Sequence, residues 1–384
     1  MDQACSRGTC EFIVDVSNWE LLCGIWQLQS PKEVVELLRN AHAGKITPEA
    51  QLVLVECLRK SQRLYPPERN YYSRLFRALV LAVEEDRVEL VDELADLHAQ
   101  NLIRRDIQFE AEVTAQNSAD GWCYKTYAYN LEHPSTLQSS GSSDPQQQLT
   151  ITQNLHGTTV HHHFGLITLK LAVNLFEGAT GCHEWEAGFM LAEFVFSNAG
   201  LFRGQECLEL GCGAGVVGVA LSRVGAAVVH LTDGNAAAVD NCRLNLAINR
   251  CASSPDSSMP NSQVVEVTEM QWEQPCALQP DIVLAADVLY DPGAIPPLIQ
   301  QLKSLLTSAR GKVTQKASTA YVATALRNQA TLQLFLDHAV ESQLDITDVS
   351  WQARQSCVQL QHHLALKTQR NNIYVHKVGV TFAT

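Results

Sequence analysis

The stretch Cys207-Leu208-Glu209-Leu210-Gly211-Cys212-Gly213-Ala214-Gly215-Val216-Val217-Gly218 decides the fold of this chain. A short apolar run with a glutamate near its end passes through glycines at alternate positions and continues with apolar residues at helical spacing. That order predicts a strand, a tight turn and the start of a helix. Glycine suits such a turn because it adopts positive φ angles and lets a ligand approach the backbone. The stretch therefore predicts a nucleotide-type pocket.

The glycine spacing leaves two cofactors open. Read from Gly213, the residues Gly213, Gly215 and Gly218 satisfy the G-x-G-x-x-G pattern of dinucleotide-binding turns, so NAD is one candidate. The order E-L-G-C-G-A-G from Glu209 to Gly215 instead resembles motif I of class I S-adenosylmethionine-dependent methyltransferases. In that motif the glycines let the methionine moiety lie against the loop.

Polar residues at the ends of the next two strands extend the predicted pocket. The run Val228–Asp233 reads as a strand, and Asp233 at its carboxyl end can accept hydrogen bonds from ribose hydroxyls. This placement fits either cofactor. Trp272 and Glu273 follow a third strand that begins at Val264. Trp272 either holds an adenine or covers the end of the sheet.

A fourth strand, Asp281–Ala286, runs into Asp287-Val288-Leu289-Tyr290. A carboxylate at the end of an apolar strand would be costly if it had no partner, so we predict a functional partner for Asp287. Upstream, a glycine-containing turn ends at Trp185 and leads into an apolar helix, which is where a lid over the pocket would lie. Trp185 either packs against the cofactor or fastens that helix to the sheet.

The remaining sequence predicts helices first and further βα units later. Apolar stripes and the start signal Ser30-Pro31-Lys32-Glu33 indicate a helical bundle over the first hundred residues. Trp122, Tyr124 and Thr126 alternate as in a strand. The polar stretch Ser135–Gln148 predicts a flexible linker or hairpin tip. Two last strands, near 344–351 and 373–380, are predicted to form an antiparallel edge.

Composition limits the function classes. The net charge of −13, from 28 basic and 41 acidic residues, disfavours extended contact with nucleic acid and suits a basic protein partner. No uncharged apolar run is long enough for a membrane span, and the amino terminus lacks the pattern of a secretory signal. Twelve cysteines without C-x-x-C pairs indicate reduced thiols in the cytoplasm. His161, His162 and His163 lack accompanying ligands at useful spacing, so we predict no metal site.

The motifs from Glu209 to Gly215 and from Asp287 to Tyr290, with Trp185 and Trp272, resemble the seven-strand protein-lysine methyltransferases of methyltransferase family 16. The D-V-L-Y motif is more specific than the glycine loop and favours S-adenosylmethionine over NAD. Tyr321-Val322-Ala323 followed by Arg327-Asn328 is similar to the branch that methylates a lysine of eukaryotic elongation factor 2. The resemblance is strong over residues 178–339 and weak over the first hundred.

The resemblance implies a Rossmann-like α/β fold with a seven-stranded sheet, an amino-terminal helical region and a β-hairpin extension. We expect a helical region for substrate recognition over residues 1–103, the hairpin extension with linker and lid over 104–185, and the methyltransferase domain over 186–384. The expected protein is a monomer in the cytoplasm that uses S-adenosylmethionine to methylate a lysine of a translation factor, with no direct nucleic-acid or membrane partner.

The site residues implied by the resemblance fall into two groups. The catalytic pair is Asp287 and Tyr290, and Asp287 either orients the lysine amine or supports its loop. The residues expected to bind the cofactor are Trp185, Glu209, Gly211, Gly213, Gly215, Asp233, Trp272 and Ala286. Two other classes of function stay open: a methyltransferase that acts on RNA or a small molecule, and a cofactor-binding interaction module without activity.

Overall fold

The computed structural model describes residues 18–61, 70–100, 102, 121–131, 148–155, 158–173, 179–251, 263–308 and 318–380. The predicted linker up to residue 147, the polar loop over residues 253–262 and the extreme amino terminus lie outside these ranges. Contacts divide the chain into two units: residues 1–132, 142–174 and 361–363 form unit 1, and residues 133–141, 175–360 and 364–384 form unit 2. No described helix is long and apolar enough to cross a membrane.

The helices of unit 1 follow the predicted pattern. Four of them are α1 (Trp19–Trp26), α2 (Pro31–Ala41), α3 (Pro48–Ser61) and α4 (Tyr71–Asp86), and residues 92–100 are helical as well. The predicted start of α2 is confirmed: the Ser30 side chain accepts from the Glu33 amide and the Glu33 side chain accepts from the Ser30 amide, with Pro31 in the first turn. This capping box satisfies two amides that have no partner inside the helix.

Unit 1 also contains an antiparallel sheet of three strands, β1 (Trp122–Asn130), β2 (Gln148–Leu155) and β3 (Thr158–Ala172), in the order β1-β3-β2. The sequence predicts residues 135–148 as the linker or tip of a hairpin extension; in the structure β3 pairs with β2 on one edge and with β1 on the other. The sheet shares a core with the helices, since Trp19 lies with its ring centroid 4.7 Å from that of Phe164. Helices and sheet therefore form one unit, whereas the sequence pattern separates them at residue 103.

Unit 2 is built on the predicted seven-stranded sheet, whose order is β6-β5-β4-β7-β8-β10-β9. The strands are β4 (Glu206–Leu210), β5 (Val228–Asp233), β6 (Val264–Glu269), β7 (Ile282–Ala286), β8 (Thr319–Ala325), β9 (Leu344–Asp348) and β10 (Ile373–Val380). The first five strands are parallel, and β10 is antiparallel to both β8 and β9. The predicted antiparallel edge is confirmed, with β10 inserted between β8 and β9.

Helices follow most of the parallel strands of unit 2, whereas β6 is joined to β7 by residues 270–281 without a helix. The helices are α5 (Glu186–Ser197), α6 (Ala199–Phe202), α7 (Val216–Val224), α8 (Ala236–Ile248), α9 (Ile295–Ser308), α10 (Gln329–Glu341), α11 (Ser350–Arg354) and α12 (Leu364–Gln369). Strand order reverses at β4, which has β5 on one side and β7 on the other. In open α/β sheets a ligand binds outside the carboxyl ends of the strands at this reversal. The topology therefore directs attention to the ends of β4, β5 and β7.

Candidate active site

A pocket of about 340 Å³ opens at the carboxyl ends of β4, β5 and β7. Eight of the ten residues that the sequence analysis selects line it: Trp185, Gly211, Gly213, Asp233, Trp272, Ala286, Asp287 and Tyr290. Glu209 and Gly215 are not among its lining residues. The fold thus brings together residues that are up to about a hundred positions apart in the sequence.

The glycine loop after β4 requires its glycines. Gly211 and Gly213 have φ angles of +73° and +49°, which residues with a side chain rarely adopt. A Cβ atom on Gly211 would lie 2.8 Å from Val288 Cγ1, and one on Gly213 would lie 3.0 Å from the Gly181 carbonyl oxygen. The glycine loop therefore packs closely against the segment that follows β7, at Val288, and against the lid segment, at Gly181.

Asp233 closes the loop from the end of β5. Its Oδ2 accepts from the Gly213 amide at 3.1 Å, and its Oδ1 accepts from the Asn235 amide at 3.0 Å. Partial burial raises the pKa of the Asp233 carboxyl, and the two backbone amides oppose that rise. Each carboxylate oxygen can accept a further hydrogen bond. The side chain therefore meets the requirement for a group that receives ribose hydroxyls.

Glu209 lies behind the glycine loop instead of in the pocket wall. Its side chain is buried and its carboxylate accepts from the Gly218 amide, while Oε2 has no hydrogen-bond partner among the described residues. Burial, with Cys242 and Asp233 nearby, raises the pKa of the Glu209 carboxyl well above its usual range. In this arrangement Glu209 joins the end of β4 to the first turn of α7. Gly215 also lies outside the pocket lining. It directly precedes the first residue of α7, and a Cβ added to it would lie 2.7 Å from Cys242 Sγ.

The lid runs from Ala179 to Trp185 and contains a short 3-10 turn, Thr180–Cys182. Gly181 lies close to the glycine loop and to α8, since a Cβ on it would be 3.3 Å from Gly213 Cα and 2.8 Å from Ala238 Cβ. Trp185 Nε1 donates to the Thr180 carbonyl oxygen at 3.1 Å. Trp185 also lines the pocket and is the capping residue before α5, so both roles considered for it are compatible.

The end of β6 forms the opposite wall. The Met270 amide donates to the Asp233 carbonyl oxygen at 2.9 Å, and Gln271 Nε2 donates to the Gly234 carbonyl oxygen at 2.7 Å. These bonds fix the turn that carries Trp272, whose indole packs partly on the core of the sheet and lines the pocket. Trp272 thus covers the sheet end and is also available to a flat ring in the pocket.

Asp287 has a partner in the protein itself. Its side chain is only 3% exposed, and Arg327 Nη1 donates to Oδ1 at 2.9 Å while Arg327 Nη2 donates to Oδ2 at 3.2 Å. The Ala325 amide also donates to Oδ1, at 3.0 Å. The carboxylate is thus anchored beside β8 and also lines the pocket, so both roles considered for Asp287 are compatible with this geometry. The sequence analysis does not select Arg327 for the site. Its position just beyond the carboxyl end of β8 is the signal that could have identified it.

Tyr290 is the most accessible of the selected residues, with 66% of its surface exposed. It lines the pocket at the end of the D-V-L-Y segment. Partial desolvation, with Asp233 and Asp291 nearby, raises the pKa of the Tyr290 phenol. Near neutral pH the phenol is therefore protonated and both donates and accepts hydrogen bonds.

Residues 167–336 match the family model for lysine methyltransferases. The family match confirms the predicted class of methyltransferase and its cofactor, S-adenosylmethionine. Within the described residues no group of three histidine, cysteine, aspartate or glutamate side chains is arranged to hold a metal ion.

Two protein-lysine N-methyltransferases are similar to parts of this chain. The protein-lysine N-methyltransferase EEF2KMT of Homo sapiens is 34% identical over 179 residues, which cover 44% of this chain and 53% of the relative. The protein-lysine N-methyltransferase EFM3 of Chaetomium thermophilum is 25% identical over 314 residues, which cover 75% of this chain and 80% of the relative. The chain spans about half the length of the human lysine methyltransferase it matches.

Among solved structures, the magnesium protoporphyrin IX methyltransferase of Synechocystis with bound S-adenosylmethionine is 15% identical. The aligned residues cover 50% of this chain and 80% of the chain in that structure, and the TM-score is 0.33. The strand order and the family match, and not this likeness, carry the assignment of the fold.

Proposed function

We propose that this chain transfers the methyl group of S-adenosylmethionine to the ε-amine of a lysine in a protein. The observation that carries the proposal is the pocket itself, where the glycine loop, Asp233 and the D-V-L-Y segment meet at the reversal of strand order. The family match over residues 167–336 supports the same reaction.

The pocket residues divide the work of holding the cofactor. Gly211 and Gly213 leave room for the methionine moiety beside the backbone, and Asp233 accepts the ribose hydroxyls. Trp272 and Ala286 supply apolar wall beside the adenine, with Trp185 across the opening. Glu209 and Gly215 act from behind the loop by fixing its shape.

The cofactor supplies an electrophilic methyl group on a sulfonium sulfur. In the reaction a nitrogen–carbon bond forms as the sulfur–carbon bond breaks, and the amine finally releases a proton to water. The lysine amine must be neutral to attack, whereas a solvated lysine has a pKa of about 10.4. Partial desolvation in the pocket favours the neutral amine. Orienting it in line with the methyl group is the main contribution expected of the protein.

Tyr290 is the residue best placed to orient the acceptor amine, because it is exposed at the pocket and its phenol is neutral. Asp287 contributes through the loop, since its carboxylate is bonded to Arg327 and to the Ala325 amide. Of the two roles considered for Asp287, the supporting role has the better geometry.

Elongation factor 2 is the proposed substrate. The support is the resemblance of the residues around Asp287 and Arg327 to that branch of the family, together with the names of the human and Chaetomium relatives. A net charge of −13 favours approach to a basic protein surface over nucleic acid. Such a substrate would place the reaction in the cytoplasm.

The test is transfer of labelled methyl from S-adenosylmethionine to purified elongation factor 2 and, in parallel, to a cell extract and to total RNA. Mass spectrometry identifies the modified residue, and a lysine-to-arginine change there should abolish the label. A labelled lysine in another protein would refute the substrate and keep the reaction. Label in RNA, or no label while the cofactor binds, would refute lysine methylation.

A further inference from the structure

Arg327 joins three elements around the pocket. Its guanidinium donates to both oxygens of Asp287 in the β7 loop and, through Nη2, to Glu186 Oε2 in the first turn of α5 at 3.3 Å. Its Cζ atom lies 5.0 Å from the ring centroid of Trp185 in the lid. One side chain at the end of β8 therefore touches the β7 loop, the lid and the start of α5.

Trp185 is held on its edge and on its face. The Thr180 carbonyl accepts from the indole nitrogen at 3.1 Å, and the Arg327 guanidinium lies over the ring. A cation over an indole face is attracted by the negative charge density of the ring. These two contacts fix the ring of a residue that lines the pocket, so a change at Arg327 would free its face.

The Asp287 loop needs support because its backbone is unusual. Asp287 has a φ angle of +56°, in the left-handed region that residues other than glycine adopt at a cost. Its amide donates to the Ala323 carbonyl oxygen at 2.8 Å, and its carboxylate receives Arg327 and the Ala325 amide. Without Arg327 the carboxylate would be nearly buried with a single donor.

We propose that Arg327 is a positioning residue for methyl transfer: it holds Trp185 against the pocket and, at the same time, fixes the Asp287 loop that carries Tyr290. The proposal rests on the lysine methylation proposed above. It assigns to Arg327 an effect on the reaction that passes through Trp185 and Tyr290, without contact between Arg327 and the reacting atoms.

Lysine cannot replace arginine in this role. The planar guanidinium presents parallel donors to both carboxylate oxygens of Asp287 and stacks on an aromatic face at the same time. An ammonium group is a compact charge that makes one of these contacts well. Arg327→Lys should therefore keep most of the stability and lose part of the positioning.

The test compares Arg327→Lys, Arg327→Met and the double variant Arg327→Met with Asp287→Asn. Arg354→Met is the matched control, because Arg354 also stacks on an aromatic ring, that of Tyr374 at 5.5 Å, and donates to backbone carbonyls outside the pocket. The full-length chain is labelled with 5-fluorotryptophan, and Trp185→Phe identifies the fluorine resonance of Trp185. Single-turnover transfer, calorimetric affinity for S-adenosylhomocysteine and melting temperature are measured for each variant.

We expect Arg327→Met to move the Trp185 resonance and to slow transfer by about ten- to a hundredfold per folded enzyme, since small misplacements near the reacting groups have effects of this size. Arg327→Lys should fall between this variant and the unaltered chain. The double variant removes the unpaired carboxylate, so its melting temperature should recover while the Trp185 resonance and the transfer rate do not. Arg354→Met should lower the melting temperature alone.

Recovery of the transfer rate in the double variant would overturn the proposal, because Arg327 would then serve only to neutralise Asp287. An unmoved Trp185 resonance in Arg327→Met would overturn it as well. If the unaltered chain methylates no protein, the proposed lysine methylation is refuted. The proposed effect of Arg327 on methyl transfer is then refuted with it. The Trp185 resonance and the affinity for S-adenosylhomocysteine then still decide whether Arg327 positions the pocket.

Discussion

Gly213 combines a positive φ angle with a close neighbour, the Gly181 carbonyl oxygen 3.0 Å from where a Cβ would lie. We expect Gly213→Val to abolish the rise in melting temperature that S-adenosylhomocysteine causes, because the side chain would occupy the ligand's place and disfavour the loop conformation. The left-handed conformation costs a residue with a side chain about 1–2 kcal/mol. The measurement is a thermal unfolding series over ligand concentration.

Gly200 is the matched control for this change. It lies in α6, and a Cβ there would meet nothing within 4 Å. Gly200→Ala should keep the full response to the ligand. A normal rise in melting temperature with ligand in Gly213→Val would show that the glycine loop is not part of the cofactor site. A rise in melting temperature with NAD in the unaltered chain would refute S-adenosylmethionine as the cofactor.

In the proposed cofactor site, the ionised form of Asp233 is the one that would accept ribose hydroxyls with both oxygens. Partial burial raises its pKa, so protonation begins at a higher pH than for a solvated aspartate, whose pKa is about 3.9. We expect affinity for S-adenosylhomocysteine to fall as the pH drops through that raised pKa. Calorimetric titrations from neutral to acidic pH measure the effect.

The loss of affinity is separable from unfolding. A carboxyl whose pKa is raised in the folded state binds protons more readily there, so its contribution to the free energy of unfolding increases as the pH falls. Asp233→Asn should lower the affinity at neutral pH by about ten- to a hundredfold, which corresponds to a charge-assisted hydrogen bond of roughly 1.5–3 kcal/mol. The variant should also lose this acidic dependence, and retention of it would assign the titration to another group.

At the scale of elements, the lid depends on its close approach to the glycine loop. A Cβ on Gly181 would lie 3.3 Å from Gly213 Cα in that loop and 2.8 Å from Ala238 Cβ in α8, and the φ of Gly181 is not in the left-handed region. We therefore expect Gly181→Val to lift the lid and to weaken S-adenosylhomocysteine binding by steric contact alone. Calorimetric affinity together with circular dichroism of the unliganded chain separates binding from folding.

The control for the lid is Gly379→Val, because a Cβ at Gly379 on β10 would meet nothing within 4 Å. That variant should bind normally. Unchanged affinity in Gly181→Val, with an intact circular dichroism spectrum, would mean that the lid does not close the cofactor pocket.

At the scale of the whole molecule, the two units have separate cores, and the cofactor pocket belongs to unit 2. Trp19 is 5% exposed in the core of unit 1, where it meets Trp26 and Phe164. Trp19→Ala should destabilise unit 1 by about 3–5 kcal/mol. Calorimetric unfolding should show the loss in the transition that S-adenosylhomocysteine does not shift, with cofactor affinity nearly unchanged.

Trp351, which is 70% exposed on α11, supplies the control, since Trp351→Ala should leave both transitions in place. A fall in cofactor affinity in Trp19→Ala would contradict the assignment of binding to unit 2 alone. A point change is the better experiment than removal of residues 1–100, because the helices cover the apolar face of the three-stranded sheet.

The sequence by itself determined the sheet of unit 2 and the location of the candidate pocket. Strands β5 and β10 begin and end at the residues that the pattern predicts, because each is a run rich in β-branched and apolar residues with turn residues at its ends. The glycine loop was predictable for a local reason, since only glycine tolerates its backbone angles and close contacts. The place of Asp233 in the pocket was predictable because this residue lies at the carboxyl end of β5.

Only the tertiary structure decided the surroundings of Asp287 and Glu209. The sequence places a carboxylate at the end of β7, but its partner Arg327 is 40 residues away and reaches it because β8 lies beside β7 in the sheet. Glu209 precedes the loop directly, yet the alternation of side chains along β4 turns it away from the pocket wall. Contacts between distant segments depend on packing, which local sequence patterns do not encode, and the shared core of helices and sheet in unit 1 has the same origin.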